Sequence, residues 1–312
     1  MMSGECLIQV EGLRRDYGSR CAVRDLDFSV ARGEVLGLLG PNGAGKTTTL
    51  QVLSGCLAAT AGRVTLAGHD LGQHPRRAKA ALGYLPEQPP LYRSLTVDEY
   101  LDFCARLHGL RGAGLRGARE RAKARCGLIA DGRRLIVQLS KGYQQRVGIA
   151  QAILHDPPVV ILDEPTVGLD PNQIRAIRTL VRDLGRERAV ILSTHILPEV
   201  EAVCDRVLIL HQGRAVYADR VAASGSEARS TRLACAFRRP PESTALAALP
   251  GIEAVESLGE GRFLIRHAAG ASPAEMLAVT AAEAGWGLVA LSPHRASLEQ
   301  LFVELTCREE LA

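Results

Sequence analysis

The fold is decided by the stretch Gly40-Pro41-Asn42-Gly43-Ala44-Gly45-Lys46-Thr47. It fits the pattern Gly-x-x-x-x-Gly-Lys-Ser/Thr, a phosphate-binding loop whose backbone N–H groups surround one anion. The apolar run from Val35 to Leu39 predicts a buried strand before the loop, and the run from Thr47 to Leu57 predicts a helix after it. This context is what the motif needs, because a helix N-terminus also attracts phosphate. The chain is therefore expected to bind a nucleoside triphosphate.

Two side chains of the loop have specific expected roles. Lys46 would reach the β- and γ-phosphates, and the Thr47 hydroxyl would coordinate Mg²⁺. The alternative, a glycine-rich turn with an incidental lysine, is disfavoured by the strand and the helix on either side. The remaining residues expected to contact the nucleotide here are Gly40, Pro41, Asn42, Gly43, Ala44, Gly45 and Thr48.

Composition limits the other functions. The 312 residues suffice for about two domains, and the net charge of +4 is too small to indicate nucleic-acid binding by itself. The eight cysteines are scattered without a Cys-x-x-Cys pair, which disfavours a zinc or redox site and suits a reduced cytosolic protein. We find no apolar run near 18 residues and no signal-peptide pattern. The protein is expected neither to span a membrane nor to be exported by the general route, although it could dock on a membrane partner.

A basic stretch lies between Cys104 and Arg134, with nine Lys/Arg and two Asp/Glu. Nucleic-acid binding is one interpretation, but no aromatic residue alternates with the charges for base stacking. A solvated helical face is the favoured interpretation. We therefore predict no nucleic-acid partner.

The order of predicted elements indicates an α/β fold. Val159 to Asp163 is apolar enough for a fully buried strand, and helices are predicted from Ser140 to Leu154 and from Pro171 to Leu184. Thr96 and Glu99 fit a capping box at another helix start. A polar bend is predicted from Arg14 to Arg20. Strands that alternate with helices predict a mostly parallel sheet covered by helices.

The C-terminal part differs from the rest. A linker predicted from Val221 to Arg232 precedes elements in the order β-α-β-β-α-β, which predicts a small α+β ferredoxin-like domain. The predicted strands are Thr231–Arg238, Ile252–Leu258, Arg262–His267 and Gly287–Ser292, and the predicted helices are Glu242–Leu249, Pro273–Ala284 and a closing helix, Leu298–Thr306.

Further motifs sharpen the functional prediction. Asp163 and Glu164 follow the buried strand in a Walker-B pattern, in which the first acid orders Mg²⁺ and the second polarises the attacking water. The other segments are Gln88 after a strand, Leu139-Ser-Lys-Gly-Tyr143 at a helix start, Gly168-Leu-Asp170-Pro after the acid pair, and Ser193-Thr-His195 at a strand end.

In this order the segments resemble the nucleotide-binding subunit of ATP-binding-cassette (ABC) transporters, over residues 5 to about 220. The resemblance implies a P-loop NTPase fold with a RecA-like core. It implies an ABC domain over residues 1–222, with a helical subdomain at about 89–156, and a C-terminal ferredoxin-like extension over 223–312.

The resemblance also implies roles for single residues. Tyr17 matches the aromatic residue that stacks on adenine, and Gln88 the residue that contacts Mg²⁺ and water. His195 matches the histidine that hydrogen-bonds the γ-phosphate. The remaining matches act across a dimer interface: Ser140, Lys141 and Gly142 in the signature that touches the opposite subunit's γ-phosphate, and Asp170 in the loop that crosses the interface.

The signature differs from the family sequence at two positions. The family sequence is Leu-Ser-Gly-Gly-Gln, and here Lys141 and Tyr143 replace the second-last glycine and the glutamine. Ser140 and Gly142, which supply the hydroxyl and the close backbone approach, remain. Because Lys141 adds positive charge at a helix start aimed at phosphate, we expect the function to be kept.

These residues predict an ATPase subunit with ATP and Mg²⁺ as cofactors, working as a homodimer at the inner, cytoplasmic face of the cell membrane. It would power export through a separate integral-membrane permease. The signature and the C-terminal extension are similar to those of exporter-type (ABC-2) subunits, such as gliding-motility-associated and multidrug-export ATPases. The alternatives are a soluble ABC ATPase of repair or translation, and a regulatory protein whose C-terminal domain senses a small ligand.

Overall fold

The computed structural model describes residues 5–221, 232–268, 273–293 and 302. The described residues up to 221 belong to one compact unit, and those from 232 onward form a second. Among the described residues, none of the helices has both the length and the hydropathy that crossing a bilayer requires.

The first unit contains two sheets. One is four-stranded, in the order β2-β1-β4-β5, and the other is six-stranded, in the order β10-β9-β3-β8-β7-β6. The strands are β1 (Cys6–Tyr17), β2 (Arg20–Ala31), β3 (Val35–Leu39), β4 (Ala61–Leu66), β5 (His69–Asp70), β6 (Leu82–Leu85), β7 (Val159–Asp163), β8 (Ala189–Thr194), β9 (Arg206–His211) and β10 (Arg214–Arg220).

The six-stranded sheet confirms the predicted mostly parallel α/β architecture. Strands β9, β3, β8, β7 and β6 are parallel, and β10 joins the edge antiparallel to β9. Every residue of β3, β7 and β8 is buried. Continuous apolar runs of this kind are what a sheet covered on both faces requires. The carboxyl ends of β3, β7 and β8 therefore meet at one edge of the sheet, and the phosphate loop follows β3 there.

The predicted polar bend from Arg14 to Arg20 is wrong. Strand β1 continues to Tyr17, and β2 begins at Arg20, which pairs with Tyr17 across a tight turn. The polar residues of this hairpin lie on an exposed part of the four-stranded sheet, where charged side chains remain in solvent. Polarity there reflects exposure, and it does not interrupt backbone pairing.

The helices of the first unit cover the sheets, and three of them (α3, α4 and α5) pack against one another. Their bounds are α1 (Lys46–Leu53), α2 (Pro75–Ala80), α3 (Val97–Leu107), α4 (Gly112–Cys126), α5 (Lys141–Ile153), α6 (Pro171–Gly185) and α7 (Leu197–Val203), with short 3₁₀ turns at Ile129–Asp131 and Ile136–Gln138.

The predicted capping box at the start of α3 is confirmed. Oγ1 of Thr96 accepts a hydrogen bond of 3.3 Å from the N–H of Glu99, and Oε2 of Glu99 accepts one of 2.8 Å from the N–H of Thr96. Two unbonded N–H groups at the helix start are thereby satisfied.

The basic stretch is less uniformly solvated than the sequence predicts. Nζ of Lys123 in α4 is buried and donates to Oδ1 of Asp98 in α3 at 2.6 Å. Arg119 contacts both carboxylate oxygens of Asp102, at 3.0 and 3.1 Å. Two of the nine cations therefore pair with acids of α3, which lie outside the basic stretch itself.

The second unit is an antiparallel sheet in the order β12-β13-β11-β14, with a small core of its own. This order of strands supports a ferredoxin-like fold, which stays a prediction. The predicted closing helix, Leu298–Thr306, lies outside the described residues. The elements are β11 (Arg232–Phe237), α8 (Ser243–Ala247), β12 (Ile252–Gly259), β13 (Arg262–His267), α9 (Pro273–Glu283) and β14 (Leu288–Pro293).

Candidate nucleotide-binding and catalytic site

The phosphate loop depends on its glycines for two close backbone approaches. Gly45, the residue before α1, has a φ of 101°, which few side chains tolerate. A Cβ atom at Gly45 would lie 2.6 Å from the carbonyl oxygen of Ala22, and one at Gly40 would collide with the carbonyl oxygen of Leu210. The loop therefore fits tightly between β2 and the end of β9, and its shape is determined by backbone contacts.

Lys46 is buried at the first position of α1. Its Nζ donates hydrogen bonds to the carbonyl oxygens of Gly40 at 2.8 Å and Pro41 at 3.2 Å. Burial lowers the pKa of Lys46, while the negative charges of Glu164, Asp163 and Glu87 raise it. The ammonium group thus spans the loop and lies within the field of three carboxylates.

Next to this loop lies a cavity of about 440 Å³. The structure brings together there nine of the residues singled out from the sequence: Tyr17, Asn42, Gly43, Gly45, Lys46, Thr47, Thr48, Glu164 and His195. Sequence reasoning missed four other residues that line the cavity: Arg20, Ala22, Glu87 and Val167. Of these, Glu87 could have been found from the sequence, because it directly precedes the predicted site residue Gln88.

Tyr17 lies at the end of β1 with 45% of its surface exposed. The guanidinium carbon of Arg15 lies 4.7 Å from the centre of its ring, so a cation covers one aromatic face. The exposed remainder of the ring borders the cavity, as adenine stacking would require.

Asp163 ends β7 and is 1% exposed. Among the described residues, neither carboxylate oxygen makes a hydrogen bond of good geometry. Burial raises the pKa of this carboxyl, the nearby Ser193 hydroxyl lowers it, and the charges of Glu164 and Glu87 raise it. A buried carboxylate normally has a partner, because an unpaired one is costly. Mg²⁺ binds through oxygen ligands and takes one or two carboxylates besides substrate phosphates. The chemistry of this carboxylate therefore suits a magnesium ion, and Thr47, which lines the nucleotide cavity, would supply a hydroxyl ligand.

Glu164 is held in an unusual conformation beside His195. Its φ of 47° lies in the left-handed region, and its N–H donates to the carbonyl oxygen of Ser193 at 3.0 Å. Oε1 of Glu164 lies 2.9 Å from Nδ1 of His195, while Oε2 is buried and has no hydrogen-bond partner among the residues that the structure describes. Because an ionised carboxylate only accepts hydrogen bonds, Nδ1 of His195 is the donor. Local strain of this kind is common where a catalytic group must be aimed.

A buried glutamate binds the two segments that carry Glu164 and His195. Glu199 in α7 is 1% exposed, and its two carboxylate oxygens accept hydrogen bonds from the hydroxyls of Thr166 and Thr194. Sequence reasoning missed Glu199, because an acid in the first turn of a helix ordinarily indicates only a favourable interaction with the helix dipole.

Nine predicted site residues do not line the cavity. Gly40, Pro41 and Ala44 belong to the phosphate loop beside it, and Asp163 ends β7. The other five have predicted roles that a single chain leaves untested. Ser140 is exposed at the start of α5, and Gly142 packs against the side chain of Gln173. Asp170 caps α6 by accepting from the N–H groups of Asn172 and Gln173, each at 2.9 Å. The remaining two residues, Gln88 and Lys141, line a second cavity that shares Glu87 and Val167 with the first.

Comparison with known proteins agrees with this geometry. Residues 23–167 match the family model described as "ABC transporter". A solved structure described as the ATP-binding subunit of an ABC transporter superimposes with a TM-score of 0.62 at 34% identity, over 69% of this chain and 90% of that one.

Similarity to curated proteins extends further along the chain. The Nod factor export ATP-binding protein I of Rhizobium sp. (strain N33) is 33% identical over 305 residues, which are 97% of each chain. The bacitracin transport ATP-binding protein of Bacillus licheniformis is 37% identical over 210 residues, 67% of this chain and 68% of that protein.

Proposed function

Since this chain belongs to the ATP-binding subunits of ABC transporters, we propose that it hydrolyses ATP in the described cavity to power export through a separate permease. One observation carries the proposal. Glu164, the expected general base, lies in the same cavity as the phosphate loop and is hydrogen-bonded to His195. Binding, positioning and proton transfer are thereby combined in one place.

The residues divide the work as follows. Lys46 and the backbone of the loop hold the β- and γ-phosphates. Asp163 and Thr47 would hold Mg²⁺, which neutralises phosphate charge when it is bound. Glu164 accepts a proton from the attacking water, and its backbone bond to Ser193 keeps the carboxylate in position. Nδ1 of His195 donates to Glu164, so Nε2 can donate a hydrogen bond to the γ-phosphate only when the imidazole carries a second proton.

We further propose that two copies of the chain complete each site. Ser140 is exposed, and its side chain makes no capping bond to the described backbone of α5, although serine at a helix start usually does. Lys141 contacts Gly168, so the signature packs beside the segment that leads to Asp170. An exposed hydroxyl next to that segment supports a role toward a nucleotide held by a second copy. A two-fold dimer would complete both sites symmetrically.

The permease would dock on the loop that follows Gln88, at the inner face of the membrane. Tyr92 is 53% exposed, and the two prolines before Leu91 stiffen the segment. Its neighbour Leu91 lines the cavity that Gln88 and Lys141 also line. A movement of this loop on docking would therefore shift side chains that are expected to contact the nucleotide. Relatives named for export support the direction of transport, and the cargo belongs to the permease.

The decisive experiment is purification of the tagged protein from membranes of its own organism, followed by identification of co-purifying chains. We expect a polytopic membrane protein in fixed stoichiometry and an ATPase activity that the Glu164→Gln variant lacks. Recovery with ribosomal or DNA-repair components, and without a membrane protein, would favour the soluble ABC ATPase instead.

A further inference from the structure

A second concentration of positive charge lies away from the nucleotide cavity, where α3 ends and α4 begins. Arg106, Arg111 and Arg116 line one cavity of about 520 Å³ together with Leu110 and Leu115. All three arginines are exposed, whereas Leu115 is buried and forms part of the cavity wall. We call this the arginine cavity.

The charge of the arginine cavity is not balanced from within. Of the described residues that line it, one is an acid, Asp102, and both of its carboxylate oxygens accept hydrogen bonds from Arg119, at 3.0 and 3.1 Å. Within the part of the chain that the structure describes, Arg106, Arg111 and Arg116 have no ion-pair partner. Three guanidinium groups therefore share a concave site in which no described acid pairs with them.

We propose that the arginine cavity binds the phosphate headgroups of anionic phospholipids at the membrane surface. The guanidinium fork matches phosphate oxygens in a bidentate manner, and each cation near an anionic bilayer adds to the attraction. Leu107, one residue after Arg106, is 71% exposed and offers an apolar contact for the boundary between headgroups and acyl chains. Cations next to an exposed leucine suit the interface between a membrane and water.

Two features favour a lipid over a nucleic acid. The arginines converge on one cavity, whereas a nucleic acid requires positive charge along an extended track. None of the described lining residues is aromatic, so none of them offers a ring on which a base could stack. The inference concerns a separate surface and does not depend on the proposed transport function.

The test is co-sedimentation of the purified full-length chain with vesicles, without a permease. Vesicles of phosphatidylcholine alone are compared with vesicles that contain phosphatidylglycerol, at low and high salt. We expect binding to the anionic vesicles only, weakened by salt. The triple variant Arg106→Ser/Arg111→Ser/Arg116→Ser should lose about a hundredfold in partition coefficient, at roughly fivefold per arginine.

A matched variant removes the same charge elsewhere. Arg76, Arg77 and Arg214 are exposed and lie outside the arginine cavity, so their triple change to serine should reduce vesicle binding by less than about fivefold. The triple change of the cavity arginines to lysine keeps the charge but removes the bidentate fork, so its loss of binding should lie between those of the matched variant and the serine variant. Equal losses in the serine variant and its matched variant would overturn the proposal.

Two further arms separate the sources of phosphate. Inorganic phosphate, added at matched ionic strength, should compete poorly with vesicles, because it lacks the multivalent surface. Single-stranded RNA should neither bind through these arginines nor displace the vesicles. Displacement by inorganic phosphate would mean a site for a free anion, and displacement by RNA would mean a nucleic-acid site. Either result would contradict a lipid surface site.

Discussion

The hydroxyl of Thr166 donates a hydrogen bond of 2.5 Å to Oε1 of Glu199, inside the first unit. The other carboxylate oxygen accepts from the hydroxyl of Thr194 at 3.0 Å. Thr166 follows Glu164 by two residues, and Thr194 precedes His195. One buried carboxylate therefore joins the segments that carry both members of the Glu164–His195 pair.

We expect Glu199→Gln to lower ATP turnover about ten- to a hundredfold while ATP affinity stays near wild type. The amide offers one acceptor in place of two, so one threonine must reorient and the Glu164–His195 pair shifts slightly. The free energy of unfolding should fall by roughly 1–3 kcal/mol, because a buried polar group loses its partner. Steady-state ATPase assays and thermal melts measure both.

Glu201 provides the matched control, since it is exposed on the same helix. Glu201→Gln should leave turnover and melting temperature unchanged. If Glu199→Gln lowers only the melting temperature, Glu199 is a structural residue and does not position the catalytic pair.

The Glu164→Gln variant should lose at least about a hundredfold in turnover and still bind ATP. The amide keeps the shape and the partner His195 but cannot accept a proton from water. The ATP-bound dimer should accumulate, and size-exclusion chromatography in the presence of ATP would show it as a species twice the size of the monomer. Turnover at the wild-type level would remove Glu164 from the role of general base.

Mixing two inactive variants should restore activity. Ser140→Arg protein keeps its own phosphate loop, and Lys46→Ala protein keeps its own signature. A mixed dimer therefore contains one intact composite site, and we expect ATPase activity in the mixture that neither protein has alone. Demonstrated mixed dimers without activity would count against sharing of the site between two copies.

Replacing Leu91 and Tyr92 with serine should abolish co-purification with the permease. Tyr92 packs against Phe103 at 5.4 Å and against Tyr100 at 6.1 Å between ring centres, so a stability loss of about 1 kcal/mol is also expected. Ile129→Ser is the control, because Ile129 is 55% exposed in the same helical part of the chain. A large fall in melting temperature for the Leu91/Tyr92 variant would instead indicate a core role.

Stability should fall as the pH is lowered from about 6.5 to about 4. Burial, together with the stacked ring of His108, lowers the pKa of His155 to about 4 from an ordinary value of 6.5. In this interval the unfolded chain binds a proton that the folded chain does not, so protonation favours unfolding. His155→Gln, which can still donate to the carbonyl oxygen of Leu82, should flatten the pH dependence measured by chemical denaturation. His74→Gln, at an exposed position, should retain the wild-type curve.

Much of the nucleotide cavity could be predicted because its parts are local in sequence. The phosphate loop and the acids after β7 each combine a continuous apolar strand with polar residues directly behind it. Parallel strands place their carboxyl ends together, so neighbouring motifs meet in space whatever their distance along the chain. The capping box at Thr96 was predictable for the same reason, since its residues are three positions apart.

The features that were missed depend on contacts between distant segments. In the sequence Glu199 is an ordinary acid in the first turn of a helix. Only the folded chain shows that it is buried and accepts hydrogen bonds from two threonine hydroxyls. Arg14 to Arg20 looked like a bend because polarity along a strand cannot distinguish an exposed sheet face from a loop. For Asp170, the capping of α6 is visible within one chain, while its expected role at a dimer interface stays a prediction.

The left-handed backbone of Glu164 has a consequence for engineering this protein. Glycine adopts that conformation without the penalty, on the order of 1–2 kcal/mol, that a side chain incurs there. A selection for heat resistance alone would therefore favour Glu164→Gly and discard the proposed general base in the same step. A search for thermostable variants should therefore keep Glu164 fixed, because the change that would stabilise this residue would also remove the catalytic carboxylate.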